Sequence, residues 1–361
     1  MKEDIHGGNL YRAARERGCR PSDLVDFSAS INPLGPSLSV LRALRKSQWM
    51  LRHYPDPEAH DLVQALSRRS GLTPAHYLIG NGSMELLYLL PIALSITKAL
   101  IIGPTFSEYE RAVHRAGGHC THVSASRADD YRPPIEEALD LMRTGKGRFD
   151  TVFLCNPNNP TGRVIGKGDL LKLVAALGDG HIWTIVDESF IEFAPEHSML
   201  QEVSKHPRLL VLRSFTKFYA IPGLRIGYLA GQPDVVEQVR RRQPPWSVNV
   251  LAQAAALAGL KDTAYRKKTL ALISDERTRL GRALREIPDL QVFPSEANFL
   301  LIELPASLRA SDVAERLRDR GLLVRDCSTI AGLTERMVRV AIRTPRENDL
   351  LLRAIEAALH G

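Results

Sequence analysis

The run Ser214-Phe215-Thr216-Lys217-Phe218-Tyr219-Ala220-Ile221-Pro222-Gly223-Leu224-Arg225 comes just after Leu209-Leu210-Val211-Leu212, an apolar stretch that predicts a buried strand. One lysine is thereby set just past a strand end, between the hydroxyls Ser214 and Thr216 and upstream of Arg225. That grouping suits Schiff-base chemistry with an aldehyde whose phosphate needs hydroxyl and guanidinium donors. A lysine on an ordinary surface loop has the same local look, so the remainder of a site must stand elsewhere in the chain.

Outward from Lys217, further apolar runs end in polar motifs. Residues 182–186 lead to Asp187-Glu188, and residues 151–155 lead to Asn156-Pro157-Asn158-Asn159-Pro160-Thr161-Gly162. Residues 99–102 precede Pro104-Thr105-Phe106-Ser107-Glu108-Tyr109, which opens a helix, and Leu78-Ile79 precede Gly80-Asn81-Gly82-Ser83-Met84-Glu85, which opens another. The first amides of that last helix, at Gly82, Ser83 and Met84, are predicted to face an anion such as a phosphate. Short apolar strands alternating with helices predict an α/β fold built on a mainly parallel sheet, with ligands beyond the carboxyl ends of its strands.

Two flanks complete the chain. The beginning is punctuated and extended, with His6-Gly7-Gly8-Asn9 and then Asp26-Phe27-Ser28-Ala29-Ser30-Ile31-Asn32-Pro33-Leu34-Gly35. After Pro245-Trp246, an alanine-rich helical region over 248–284 leads to a smaller α+β unit with strands near 298–302, 322–324 and 338–342 and helices near 310–320 and 347–359. The expected organisation is an arm over 1–36, a large domain over 37–245, and a linking helix with a small C-terminal domain over 246–361. A chain of 361 residues is long enough for two cores.

The formal net charge of +7 comes from lysines and arginines that are scattered rather than gathered, so no nucleic-acid partner is expected. Cys19, Cys120, Cys155 and Cys327 have neither CxxC nor paired spacing, which predicts no disulfide framework and no metal site, and suits a reducing cytoplasm. The first residues lack a signal-peptide apolar core, and no later stretch is long enough to span a bilayer, so no membrane association is expected.

In this order, the five motifs around Ser83, Asn159, Asp187, Lys217 and Arg225 resemble the fold-type I pyridoxal-phosphate enzymes, in the class that holds the aminotransferases. The resemblance covers nearly the whole chain and implies pyridoxal 5'-phosphate as cofactor. It makes Lys217 the catalytic imine-forming lysine, Asp187 the partner of the pyridine nitrogen, Phe106 the stacking ring and Asn159 the donor to the phenolic oxygen. Ser214, Thr216, Arg225 and the amides of Gly82, Ser83 and Met84 would hold the cofactor phosphate. Tyr54 would reach that phosphate from a second subunit, which implies a homodimer. Phe190 stands where transaminating relatives carry a tyrosine, and the missing hydroxyl implies a raised pKa for the imine nitrogen.

Within the class, the arm motif, Leu212-Arg213-Ser214, Phe190, Pro245-Trp246-Ser247-Val248-Asn249 and Arg339-Val340-Ala341-Ile342-Arg343 are similar to the threonine-phosphate decarboxylases of cobalamin synthesis. The histidinol-phosphate aminotransferases are the alternative, and a non-catalytic binding protein on the same fold is a third reading. The resemblance implies a small phosphorylated amino acid as substrate, with Arg325 and Arg339 pairing its two anions and His6, Gly7, Ser30, Asn32 and Asn159 as further contacts. Ser30 departs from the asparagine frequent in the decarboxylases.

Overall fold

The computed structural model describes residues 7–144, 149–179 and 181–359. A short strand β1 (Val25–Asp26) precedes a seven-stranded sheet made of β2 (Tyr77–Gly80), β3 (Lys98–Gly103), β4 (His119–Ser124), β5 (Thr151–Cys155), β6 (Trp183–Asp187), β7 (Leu209–Ser214) and β8 (Gly227–Ala230). The spatial order is β2-β8-β7-β6-β5-β3-β4. Strands β3 to β7 are joined by parallel pairings, and β8 runs antiparallel between β7 and β2.

Every residue of β5 is buried, as expected of a parallel strand covered on both faces. Alternate residues serve opposite layers. Val152 and Leu154 pack with Leu100, Val186 and Val211 on one face, whereas Phe153 and Cys155 pack with Ile101, Ile185 and Leu212 on the other. The same alternation governs where charged side chains go once each strand runs out.

Strands β4 and β8 were not foreseen. β4 is an edge strand whose His119, Thr121, His122 and Ser124 are not buried, so it lacks an apolar run. The helical region expected over 248–284 is two helices, Val250–Lys261 and Thr263–Glu286. The break lies at Asp262, whose carboxylate accepts from Tyr265 N at 3.0 Å and so starts the second helix.

The later residues form a second sheet from β9 (Gln291–Val292), β10 (Phe299–Glu303), β12 (Arg325–Asp326) and β13 (Met337–Ala341), antiparallel in the order β12-β13-β10-β9. Strand β11 (Leu322–Leu323) instead pairs in parallel with β1, matching Val25 to Leu322 and Asp26 to Leu323. Ala341 N also donates to Phe27 O at 2.9 Å, so the backbone of the arm is joined to β13 as well as to β11. Among the described residues, no helix is long and apolar enough to cross a membrane.

Candidate functional site

A cavity of about 680 Å³ opens at the carboxyl ends of β5, β6 and β7, walled on its other side by Asp26, residues 28–31 and the second sheet. Lys217 lines it, and its Nζ donates to Thr216 Oγ1 at 3.2 Å. Burial, with the Arg225 charge nearby, brings the Lys217 amine down to about 8, against the opposing pull of Asp187. A sizeable neutral fraction near physiological pH is what a nucleophilic amine requires.

Asp187, at the end of β6, has two fixed donors. Ser189 N donates to Oδ1 at 2.9 Å, and Tyr109 OH donates to Oδ2 at 2.8 Å. Tyr109 is fully buried, stacked on Phe153 at 5.7 Å and edge-on to Phe106 at 5.8 Å. Burial and the adjacent carboxylate push its phenol well above the ordinary tyrosine range, so Tyr109 stays a donor. Sequence reasoning missed this residue; its spacing of three from Phe106 at a helix start was the available signal.

The loops that present Phe106 and Asn159 are tied to each other. Thr105 Oγ1 donates to Asn158 Oδ1 at 2.7 Å, and Asn158 Nδ2 donates to Pro104 O at 2.8 Å. Asn159 Oδ1 accepts from Arg339 Nη1, which leaves its amide nitrogen as the donor toward the cavity.

At the far end stand Ser83 and Met84, opening the helix Ser83–Ala93, with Ser214, Thr216 and Arg225. Ser214 Oγ lies 2.6 Å from Thr216 Oγ1. Gly82 does not donate to a ligand as expected, because its amide is engaged by Gly80 O at 2.8 Å. It acts by having no side chain: its φ is +77°, and a Cβ would lie 2.7 Å from Arg225 Nη2.

Toward the second sheet, Arg325 and Arg339 are both buried, line the cavity, and face each other across the β12–β13 pair. Like charges in that register repel, and an anion between them relieves the cost. Arg339 Nη2 donates to Ser28 O at 2.6 Å, whereas its Nε has no partner among the described residues. Burial lowers the Arg339 guanidinium to about 10, and the Arg325 charge adds to the shift. Arg339 sits over Phe299, on which Phe190 packs edge-on at 5.0 Å, so the hydroxyl-free ring belongs to an apolar stack. Ser30 lines the cavity with its hydroxyl buried and unpartnered among the described residues.

Other expected contacts fall elsewhere. Asn32 does not face the cavity: its Nδ2 lies 2.8 Å from Phe218 O, Tyr265 OH and Thr269 Oγ1, and its backbone N donates to Lys217 O at 3.0 Å. It props up the lysine loop from behind. Tyr54 is 79% exposed and stacked on Trp246, outside the cavity of its own chain. Gly7 lines the cavity, while His6 lies outside the described residues.

The donors present fit pyridoxal phosphate. A lysine nucleophile, a donor-stabilised carboxylate, an aromatic side and a hydroxyl–guanidinium–helix-start cluster share one cavity, with the unpartnered Arg339 Nε and Ser30 Oγ left for a second ligand. Among the described residues, no His, Cys, Asp and Glu cluster suited to a metal ion is found.

Comparison with known proteins agrees. The family model for aminotransferases of class I and II matches residues 22–355. The threonine-phosphate decarboxylase of Salmonella typhimurium is 39% identical over 99% of this chain and 97% of its own length. The solved L-threonine-O-3-phosphate decarboxylase of Porphyromonas gingivalis has a TM-score of 0.82 at 28% identity, covering 93% of this chain and 99% of that one. The histidinol-phosphate aminotransferase of Sinorhizobium meliloti, solved in complex with pyridoxal 5'-phosphate, has a TM-score of 0.87 at 26% identity, covering 99% and 96%.

Proposed function

Because the chain belongs to the class I and II aminotransferases, we propose that it is a pyridoxal-phosphate-dependent lyase that decarboxylates L-threonine O-3-phosphate to (R)-1-amino-2-propanol O-2-phosphate in cobalamin biosynthesis. The observation that carries the choice of reaction is the full-length likeness to the Salmonella decarboxylase. The opposed Arg325 and Arg339 support it, since the substrate brings both a carboxylate and a phosphate to the cavity.

When bound, pyridoxal phosphate supplies an electron sink for the pair left behind as carbon dioxide departs. Lys217, Asp187, Asn159, Phe106, Ser83, Met84, Ser214, Thr216 and Arg225 would hold it. Asp187, kept in place by Tyr109 and Ser189, sets a negative charge for a protonated pyridine nitrogen. Arg339, steadied by Asn159 and Ser28, orients one substrate anion, and Arg325 the other. A proton replaces the lost carboxylate at Cα, which balances the reaction.

The working unit in this reading is a homodimer in which Tyr54 serves the neighbouring subunit. Its exposure supports that role, as does a surface carrying Leu38, Trp49, Leu51 and Trp246. The free thiols of Cys19, Cys120, Cys155 and Cys327 are in keeping with a cytoplasmic setting. The division into an arm, a large domain and a small domain at residues 36 and 245 belongs to the same proposal.

Incubation of the holoenzyme with O-phosphothreonine should release carbon dioxide and form the aminopropanol phosphate, and Lys217→Ala should lower that rate by ~1000-fold or more. Glutamate formed from 2-oxoglutarate and histidinol phosphate, without carbon dioxide release, would assign the aminotransferase reaction instead. A protein that develops no cofactor absorbance would be a binding protein.

A further inference from the structure

We propose that Ser28 is a positioning residue that sets substrate affinity by clasping the Gly7–Gly8 segment across the cavity mouth while its own carbonyl holds Arg339. Its hydroxyl donates to Asp26 Oδ1 at 2.6 Å and accepts from Gly8 N at 2.8 Å. Its backbone N donates to the same Asp26 oxygen at 2.8 Å, and Ala29 N does so at 3.2 Å, so the carboxylate fixes the turn that carries Ser28. Its carbonyl accepts from Arg339 Nη2 at 2.6 Å. One buried residue therefore links the arm, the 26–29 turn and an anion-binding guanidinium.

Two further observations point the same way. A Cβ on Gly7 would lie 2.2 Å from Ser28 O, so the arm is seated too closely there for any side chain. Gly7, Gly8, Ser28 and Arg325 also line a second space of about 560 Å³. Gly7 and Gly8 thus form part of the wall of both spaces. Keeping water from the Arg325–Arg339 side of the cavity strengthens their attraction for an anion. Unhooking the wall weakens substrate binding and leaves the cofactor end, at Ser83 and Arg225, as it was.

The proposal rests on the substrate assigned above, and its test separates the two. Ser28→Ala removes the hydroxyl and keeps the carbonyl. In the holoenzyme it should leave the cofactor absorbance unchanged and raise KM for O-phosphothreonine about tenfold with kcat within about twofold, the effect of losing a hydrogen bond that serves binding alone. Trypsin should cut after Arg12, Arg15 and Arg17 of the arm several-fold faster in the variant, and O-phosphothreonine should slow that cleavage in the wild type but not in Ser28→Ala. Ser28→Thr, which keeps a hydroxyl, should recover both readouts. Gly7→Ala, whose methyl would collide with the Ser28 carbonyl, should reproduce the loss with the Ser28 hydroxyl kept. Wild-type KM and cleavage in Ser28→Ala, or a fall in kcat with loss of cofactor absorbance, would overturn the role. Faster cleavage in both variants supports the clasp even if the wild type leaves O-phosphothreonine untouched, a result that would sink the reaction assignment instead.

Discussion

Strands β6 and β7 end in pairs of neighbours that face opposite ways, and the two sides differ in how far their polar atoms are satisfied. Away from the cavity, Glu188 Oε1 accepts from Met199 N at 2.5 Å, while Oε2 accepts from Arg213 Nε at 2.8 Å and Ser198 Oγ at 2.9 Å. Arg213 donates further to Ser198 Oγ and to Glu192. On the cavity side, Asp187 and Ser214 stand beside a lysine with one acceptor, and Arg339 Nε and Ser30 Oγ have none among the described residues. Burial is similar; saturation is not. Inside the cavity, the open Arg339 Nε and Ser30 Oγ are atoms that a ligand can complete, whereas the closed set on the other face holds the strand ends together.

Breaking the closed side should have the largest effect on stability. Arg213→Ala strands a buried carboxylate and should cost about 3–5 kcal/mol in a urea titration of cofactor-free protein. Replacing both partners, as Glu188→Leu with Arg213→Met, should recover most of that. A single variant within about 0.5 kcal/mol of wild type would erase the contrast.

The open side should respond with the opposite sign. Lys217 has its folded pKa lowered from 10.5 to about 8. Below pH 8 both states carry the proton, and the native state bears the cost of burying it. From about pH 8 to 10.5 the unfolded chain binds more protons, so stability rises with pH across that window. Lys217→Met in cofactor-free protein should therefore be more stable than wild type by about 2–3 kcal/mol at pH 7, with the gain fading by pH 10.5. A variant less stable than wild type at pH 7 would show the amine to be satisfied.

Smallest and most local is Tyr109→Phe, which removes one of the two fixed donors to Asp187. It should weaken retention of pyridoxal phosphate about tenfold, read from an absorbance titration, with little change in unfolding midpoint. Unaltered retention would mean that Ser189 N alone fixes the carboxylate.

The motifs that sequence alone exposed share one property: each is a polar residue just past an apolar run. Asp187 ends β6, Lys217 and Asn159 follow shortly after β7 and β5, and such a break in pattern is visible without coordinates. Tyr109 was not visible, because a buried aromatic on an amphipathic helix looks like core until its hydroxyl is seen at Asp187. Asn32 misled for the converse reason. Its Asn-Pro-Leu-Gly setting looks like an open loop, but the partners that consume its amide, Tyr265 and Thr269, lie more than two hundred residues away. Ser28 was equally hidden, since its role depends on Gly8 and Arg339 arriving from both ends of the chain.

The pairing of β1 with β11 bears on synthesis. Residues 25–30 are made some three hundred residues before their partners at 321–323 and 341. The central sheet, closed once β8 is made at residue 230, can fold while translation continues, but the substrate wall cannot. A nascent chain stalled before residue 320 would thus carry the cofactor end of the pocket without Arg325 and Arg339 opposite it, and the ability to choose a substrate would wait for those two residues.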